Sequence, residues 1–305
     1  MTRHALLPRA PCRPCLRPAV APITTAGALL AALLAPGCGG GGASADASGG
    51  IDADPSAVAD ASMGGGADAA GALCAGAGLL FCEDFEQLPL GPASSTTWRT
   101  EASAGELSID ATHARGARAL RVSTTGNGRG RLLVDGLAPA GDALFGVAHL
   151  WVTAFPTAPA YAHFTLVELA GAGDGTLVRP VGGQQAPASG ADPTGAFWGV
   201  GSDGGPTGDW TDWRRSAPAQ AGRWVCVEFE LVSSTAEVHV WLDGEAQPDL
   251  DVSRTRHGGN PVDLVLPAVD RAWFGWWLYQ ANPTPGTFEV WLDDLALGPT
   301  RLGCQ

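Results

Sequence analysis

The sequence predicts an all-β protein in which two antiparallel sheets stack as a sandwich, a jelly roll. Three observations carry that prediction. Among 305 residues Gly (43) and Pro (23) are abundant, and all 18 cations are Arg, with no Lys. Gly and Pro are the poorest helix formers and Lys is among the good ones. Short apolar runs recur between Gly, Pro, Asp and Asn, as strands do between tight turns. No segment sustains an apolar period of 3.6 residues.

Strands are expected, in order, at 79–85, 119–123, 131–134, 144–153, 163–169, 224–232, 237–242, 272–279 and 288–297. Alternation is clearest where Val225, Val227, Phe229 and Leu231 interleave with Cys226, Glu228 and Glu230. It continues in Val238, Val240 and Leu242 against Glu237, His239 and Trp241. These two runs read as a hairpin joined at Ser233-Ser234-Thr235, and Asp243-Gly244 supplies the next tight turn. In the run 163–169, His163 alternates away from Phe164 and Leu166 and therefore faces the other side of its sheet.

The chain divides into three parts. Residues 1–37 hold four Arg and no acid, followed by an apolar run over 23–34 that is too short to span a bilayer as a helix. This is the pattern of an export signal. It ends in Leu34-Ala35-Pro36-Gly37-Cys38, which resembles a bacterial lipobox with Cys38 as the lipidated residue. Pro36 and a leucine one place early depart from that pattern, and ordinary cleavage near Ala35 is the other reading. Cys12 and Cys15, a C-x-x-C, fall in the segment such cleavage removes. Residues 38–73 are Gly, Ala, Ser and Asp with almost nothing large; such a stretch reads as a hydrated tether. Residues 74–305 hold all 11 Trp, 26 of the 31 acids and 14 Arg, a net charge of −12, in a length sufficient for one large core.

The acidic balance excludes nucleic acid and anionic membrane as bulk-charge partners. The expected contact with a bilayer is through the N-terminal lipid only. A nucleophile elbow, H-E-x-x-H, a P-loop and a Rossmann glycine pattern are all absent from the sequence. Glu228 and Glu230, two apart on one strand face, suggest a glycosidase pair but read better as a polar, partly exposed sheet face. After Cys38 four cysteines remain, an even number in an exported chain, with three connectivities open.

Five phrases come in a distinctive order: FCEDFE (81–86), WVCVEFEL (224–231), VWLDG (240–244), FGWWLY (274–279) and VWLDDLALGPTRLGC (290–304). Together they resemble the core domain of the fungal cellulose-induced protein and its bacterial relatives. That family has a concanavalin-like β-jelly roll similar to glucuronan lyases. The resemblance implies a bridge between Cys226 and Cys304, leaving Cys74 with Cys82. It also implies that Glu86 and Asp293 are carboxylate ligands of a structural calcium (Ca2+), with further oxygens from the loop at 115–118. This chain has Arg115 and Arg118 there, so only main-chain oxygens of that loop could serve. The alternative is a pair of solvated strand-end carboxylates.

The lyases of this fold cleave polyuronates by β-elimination, which needs a neutraliser for the C5 carboxylate, a base for the C5 proton and an acid for the departing O4. By resemblance Arg179 and Gln184 hold the carboxylate, His163 is base or neutraliser, and Tyr279 is the acid. One extra residue separates Arg179 from Gln184 relative to the family pattern. Tyr279 shares its strand face with Trp277 and Trp273, and Trp210, Trp213, Trp276 and Trp277 are candidates for stacking on sugar rings. The expected protein is an exported, monomeric, polysaccharide-directed envelope lipoprotein, or a secreted one. It is either a polyuronate lyase or a non-catalytic glycan-binding module; a purely structural surface lipoprotein is the third class. An acidic domain repels a polyuronate at long range, so a local cationic patch around Arg179, or a bridging cation, is required.

Overall fold

The computed structural model describes residues 73–76, 78–156, 162–171, 177–186, 195–202, 211, 216–279 and 286–304. Residues 1–72, which include the expected export signal, Cys38 and all of the expected tether but Leu73, and Trp210 and Trp213 lie outside the described residues. Thirteen strands follow one another: β1 (Phe81–Glu83), β2 (Gly91–Pro92), β3 (Arg99–Asp110), β4 (Ala119–Asp135), β5 (Ala143–Val152), β6 (Ala162–Gly171), β7 (Leu177–Ala186), β8 (Gly195–Gly201), β9 (Trp224–Val232), β10 (Glu237–Leu242), β11 (Glu245–Ala246), β12 (Val269–Tyr279) and β13 (Thr287–Gly298). Among the described residues only Leu73 and Cys74 are helical.

The strands form one antiparallel path, β11-β10-β9-β5-β13-β4-β12-β6-β7-β8, with β1 on β13 and β3 on β4. The path curls until β7 lies against β9 and β10 across the core, closing a jelly-roll β-sandwich. The long strands send side chains into one interior. Leu120, Val122, Leu132 and Val134 come from β4, Phe164 and Leu166 from β6, Phe229 and Leu231 from β9, Phe274 and Trp276 from β12, and Val290 and Leu292 from β13. Trp276 stacks on Phe164 at 5.6 Å and on Phe288 at 5.8 Å. It is therefore core, not the sugar-stacking candidate that the sequence suggested.

β4 carries the architecture. Its first half pairs with β13 and its second half with β12, while β3 runs along its other edge. The separate strands expected at 119–123 and 131–134 are thus one strand of 17 residues. The intervening glycines serve close backbone approach rather than a turn. A Cβ on Gly128 would stand 2.6 Å from the Ala104 carbonyl oxygen, and one on Gly105 2.7 Å from Thr124 Cγ2. The first expected strand, 79–85, shrinks to β1 because Phe85 turns the chain out at φ 59°. Glu86 accordingly sits in the turn beyond β1 rather than at the strand end.

Both disulfides, Cys74–Cys82 and Cys226–Cys304, are present, with Cα separations of 5.5 and 5.9 Å. Glu228 is not on a partly exposed face: it is 1% exposed. Arg301 grips it through Nε (3.0 Å) and Nη2 (2.7 Å), and the Gly303 N–H donates to it at 2.9 Å. This carboxylate anchors the C-terminal segment beside the second disulfide, which removes it from a glycosidase pair.

Candidate functional site

The outer face of β12, β6 and β7 gathers the residues singled out in the sequence. Tyr279 pairs with His163, and His163 pairs with Gln184, so the three side chains form one cross-strand row. The row points outward because its neighbours Phe164 and Leu278 point into the core, both fully buried. Arg179 lies further along β7, beyond Pro180. A register shift against β8 between Arg179 and Gly182 absorbs the extra residue there. The guanidinium carbon of Arg179 ends 5.5 Å from the Tyr279 ring centroid, and the His163 ring lies 5.3 Å from it. His163, Arg179 and Gln184 are 3–5% exposed and Tyr279 is half-buried. All four predicted side chains are therefore brought together on one face.

The same face continues along β12 into an aromatic platform. Trp277 lies 4.7 Å from Tyr279, centroid to centroid. Arg131 of β4 sits over both Trp273 (5.1 Å) and Trp277 (5.2 Å). The place it occupies is left open by Gly275, which pairs with Arg131 at φ 154°. A side chain at Gly275 would collide with the Gly130 carbonyl and stand 2.8 Å from Arg131 Cα. Two carboxylates fix the guanidinium: Glu168 at 3.1 Å and Glu101 at 3.2 Å, and the Trp273 indole N–H also donates to Glu101 at 3.2 Å. Arg129, next on this face, stacks over Trp277 at 5.7 Å and makes no ion pair among the described residues. Sequence reasoning missed Arg129, Arg131, Glu101 and Glu168. The usable signal was the Arg-x-Arg spacing, which puts both guanidiniums on one strand face.

A second cluster joins the turn after β1 to β13. Glu86 Oε1 accepts N–H groups of Ala117 (2.8 Å) and Arg118 (3.3 Å), while Asp293 Oδ2 accepts that of Arg115 (2.8 Å). The 115–118 loop thus turns N–H donors toward the carboxylates, where main-chain oxygens were expected. Arg118 Nη1 donates to the main-chain oxygens of Glu86 (3.1 Å) and Leu88. Arg115 Nε pairs with Asp294 at 3.0 Å. Burial, reinforced by the charges of Asp294 and Glu86, pushes the Asp293 carboxyl up to about 7. Asp294 is raised too, first by burial and then by Asp84 and Glu86, against the pull of Arg115. His149 faces this cluster, paired with Asp293; burial first and Arg115 second lower it to about 3. Neither carboxylate is the solvated strand-end group of the plainer reading: Asp293 is fully buried and Glu86 half-buried.

No family model and no curated protein matches the chain. Among solved structures it is similar to a cellulose-induced protein, Cip1, at 20% identity and a TM-score of 0.56, covering 74% of this chain and 100% of that one. That likeness defines the class of fold: a jelly-roll β-sandwich of the cellulose-induced-protein type. A sialidase follows at 11% identity and a TM-score of 0.45, over 73% of this chain and 19% of that one. A botulinum neurotoxin serotype C1 binding domain stands at 9% and 0.42, over 73% and 49%.

Proposed function

We propose that this protein recognises a polysaccharide on the outer face of β12, β6 and β7, and that it cleaves a polyuronate there by β-elimination. The observation that carries this reading is the convergence of His163, Arg179, Gln184 and Tyr279, drawn from three adjacent strands, around one phenol ring. Arg179 and Gln184 would hold the C5 carboxylate and stabilise the charge that develops as the C5 proton leaves. His163 takes that proton, the C4–O4 bond breaks as the C4–C5 double bond forms, and Tyr279 protonates O4. Among the described charged side chains of this face, Arg129, Arg131 and Arg179 outnumber Glu101 and Glu168. This excess offers the local cationic patch that an acidic domain needs to approach a polyanion.

A binding module without catalysis is the second reading, favoured by Trp273, Arg131 and Trp277, which present a rigid platform suited to sugar stacking. The deciding experiment incubates the protein with glucuronan, alginate and neutral β-glucans and follows ultraviolet absorbance of the unsaturated product. Absorbance that appears with a polyuronate and disappears in Tyr279→Phe supports the lyase. Binding without product in every case leaves the module.

We further propose a structural calcium at the second cluster. Asp84, Glu86, Asp293 and Asp294 outnumber Arg115 and Arg118, and Asp294 Oδ1 is buried without a hydrogen bond, so the charge fits a divalent cation. Among the described residues no three His, Cys, Asp or Glu side chains are grouped as ligands, so carbonyl oxygens would have to complete the shell. Attachment through Cys38 and an envelope location belong to the same proposal, on the sequence pattern of residues 1–38 alone.

A further inference from the structure

We propose that Arg129 is a second carboxylate-binding position, so that the recognised chain carries uronate on neighbouring sugars. The inference rests on the polyuronate reading above and adds a residue to it. Two guanidiniums on this face are set over consecutive outward rings of β12: Arg179 over Tyr279 at 5.5 Å and Arg129 over Trp277 at 5.7 Å. Those rings are two residues apart on β12 and their centroids lie 4.7 Å from each other, a separation on the scale of one sugar unit.

Arg131, between Trp273 and Trp277, is not available to a ligand anion, because Glu168 and Glu101 already neutralise it. Arg129 differs in three respects. It is half-buried, it has no carboxylate among the described residues, and its Nε is buried without an acceptor. The contact with Trp277 positions the guanidinium over the ring while leaving its hydrogen-bond donors unspent. A buried donor without an acceptor is unfavourable, and a carboxylate arriving over Trp277 would supply one bidentately. A polymer with a carboxylate on every sugar can engage Arg179 and Arg129 at once. A polymer with uronate at every second sugar satisfies only one of them.

The test measures binding of a consecutive oligouronate, an alternating uronate oligomer and a carboxyl-reduced neutral oligomer to wild type, Arg129→Gln and Arg129→Lys. Arg129→Gln should weaken the consecutive oligouronate about tenfold or more, as expected for losing hydrogen bonds to a charged group, and leave the other two unchanged. Arg129→Lys, which keeps the charge but loses the fork, should fall between. In turnover the loss should appear in KM, with kcat retained. Unchanged uronate binding in Arg129→Gln, or equal loss for all three oligomers, overturns the Arg129 assignment alone. A wild type that binds no uronate oligomer overturns the reading of the whole site. Thermal melting of both variants near the wild-type midpoint separates lost binding from lost fold, and Arg129→Lys remains informative if Arg129→Gln melts early.

Discussion

Removing the two disulfides separately should give losses that differ by a calculable amount. Cys226 and Cys304 are 78 residues apart in sequence, Cys74 and Cys82 only 8. In the chain-entropy model the unfolded-state term grows as about 1.5R ln n, giving about 4.5 kcal/mol for the long loop and about 2.5 kcal/mol for the short one. The constant of that model cancels in the difference, which is about 2 kcal/mol. Native contacts barely enter, because Arg301 and the Gly303 N–H hold Glu228 whether or not the bridge is closed. The paired variants Cys226→Ala/Cys304→Ala and Cys74→Ala/Cys82→Ala are unfolded in guanidinium, followed by tryptophan fluorescence. For a domain of this size the long-bridge variant should melt about 9–18 °C below wild type and the short-bridge variant about 5–10 °C below. The long-bridge variant should also show the larger m-value, since its unfolded chain expands more. Equal losses, or a larger loss from the short bridge, would refute the reasoning and move the effect into the native state.

Other consequences can be checked on the same protein. Tyr279→Phe should lower elimination by about 10²–10⁴-fold, the usual worth of a general acid, with polymer binding retained by equilibrium titration. Arg131→Met should cost about 3–5 kcal/mol in urea unfolding, because it breaks a buried ion pair with Glu168, which is 2% exposed. Calcium at about 100 times its dissociation constant should stabilise the protein by about 2.7 kcal/mol over protein held in chelator, read as a rise in melting midpoint; no rise would remove calcium from the fold. His149, lowered to about 3, is neutral in the folded state while its unfolded counterpart charges below about 6.5. Its contribution is therefore present above that value and is lost as pH falls from about 6.5 toward 3. Asp293, raised to about 7, acts in the opposite sense between about 4 and 7, so the comparison needed is wild type against His149→Leu across that range. A flatter acid limb in the variant is the expected result.

The sequence made the apolar skeleton visible where one face is buried and the other wet, as in β9 and β10, whose alternation and hairpin turn appear as expected. It concealed β3, β7 and β8. β3 is polar along much of its length because it lies beside β4 with many exposed positions. β7 contains Pro180, Gly182 and Gly183, residues that read as a break but here accommodate a register shift and close contact with Phe164. The row of Tyr279, His163 and Gln184 was reached by resemblance; composition and periodicity gave only the side of the sheet that His163 faces. The Arg-x-Arg spacing gives the strand face of Arg131 but not its slot between Trp273 and Trp277. That slot depends on Gly275 leaving a gap between two indoles, and that gap exists only once β12 and β4 are in register.

The way the two ends of the sandwich are tied has a mechanical meaning. Phe81 of β1 lies opposite Leu297 of β13, so tension applied to both ends would by itself peel this pair apart one hydrogen bond at a time. The disulfides reroute that load. A pull arriving at Cys304 passes straight to Cys226 in β9, a strand flanked on both sides by β5 and β10, and bypasses β13. A pull arriving at Cys74 passes to Cys82 inside β1. The C-terminal load thus enters the sandwich through the interior strand β9 rather than through β13 and its pairing with β1.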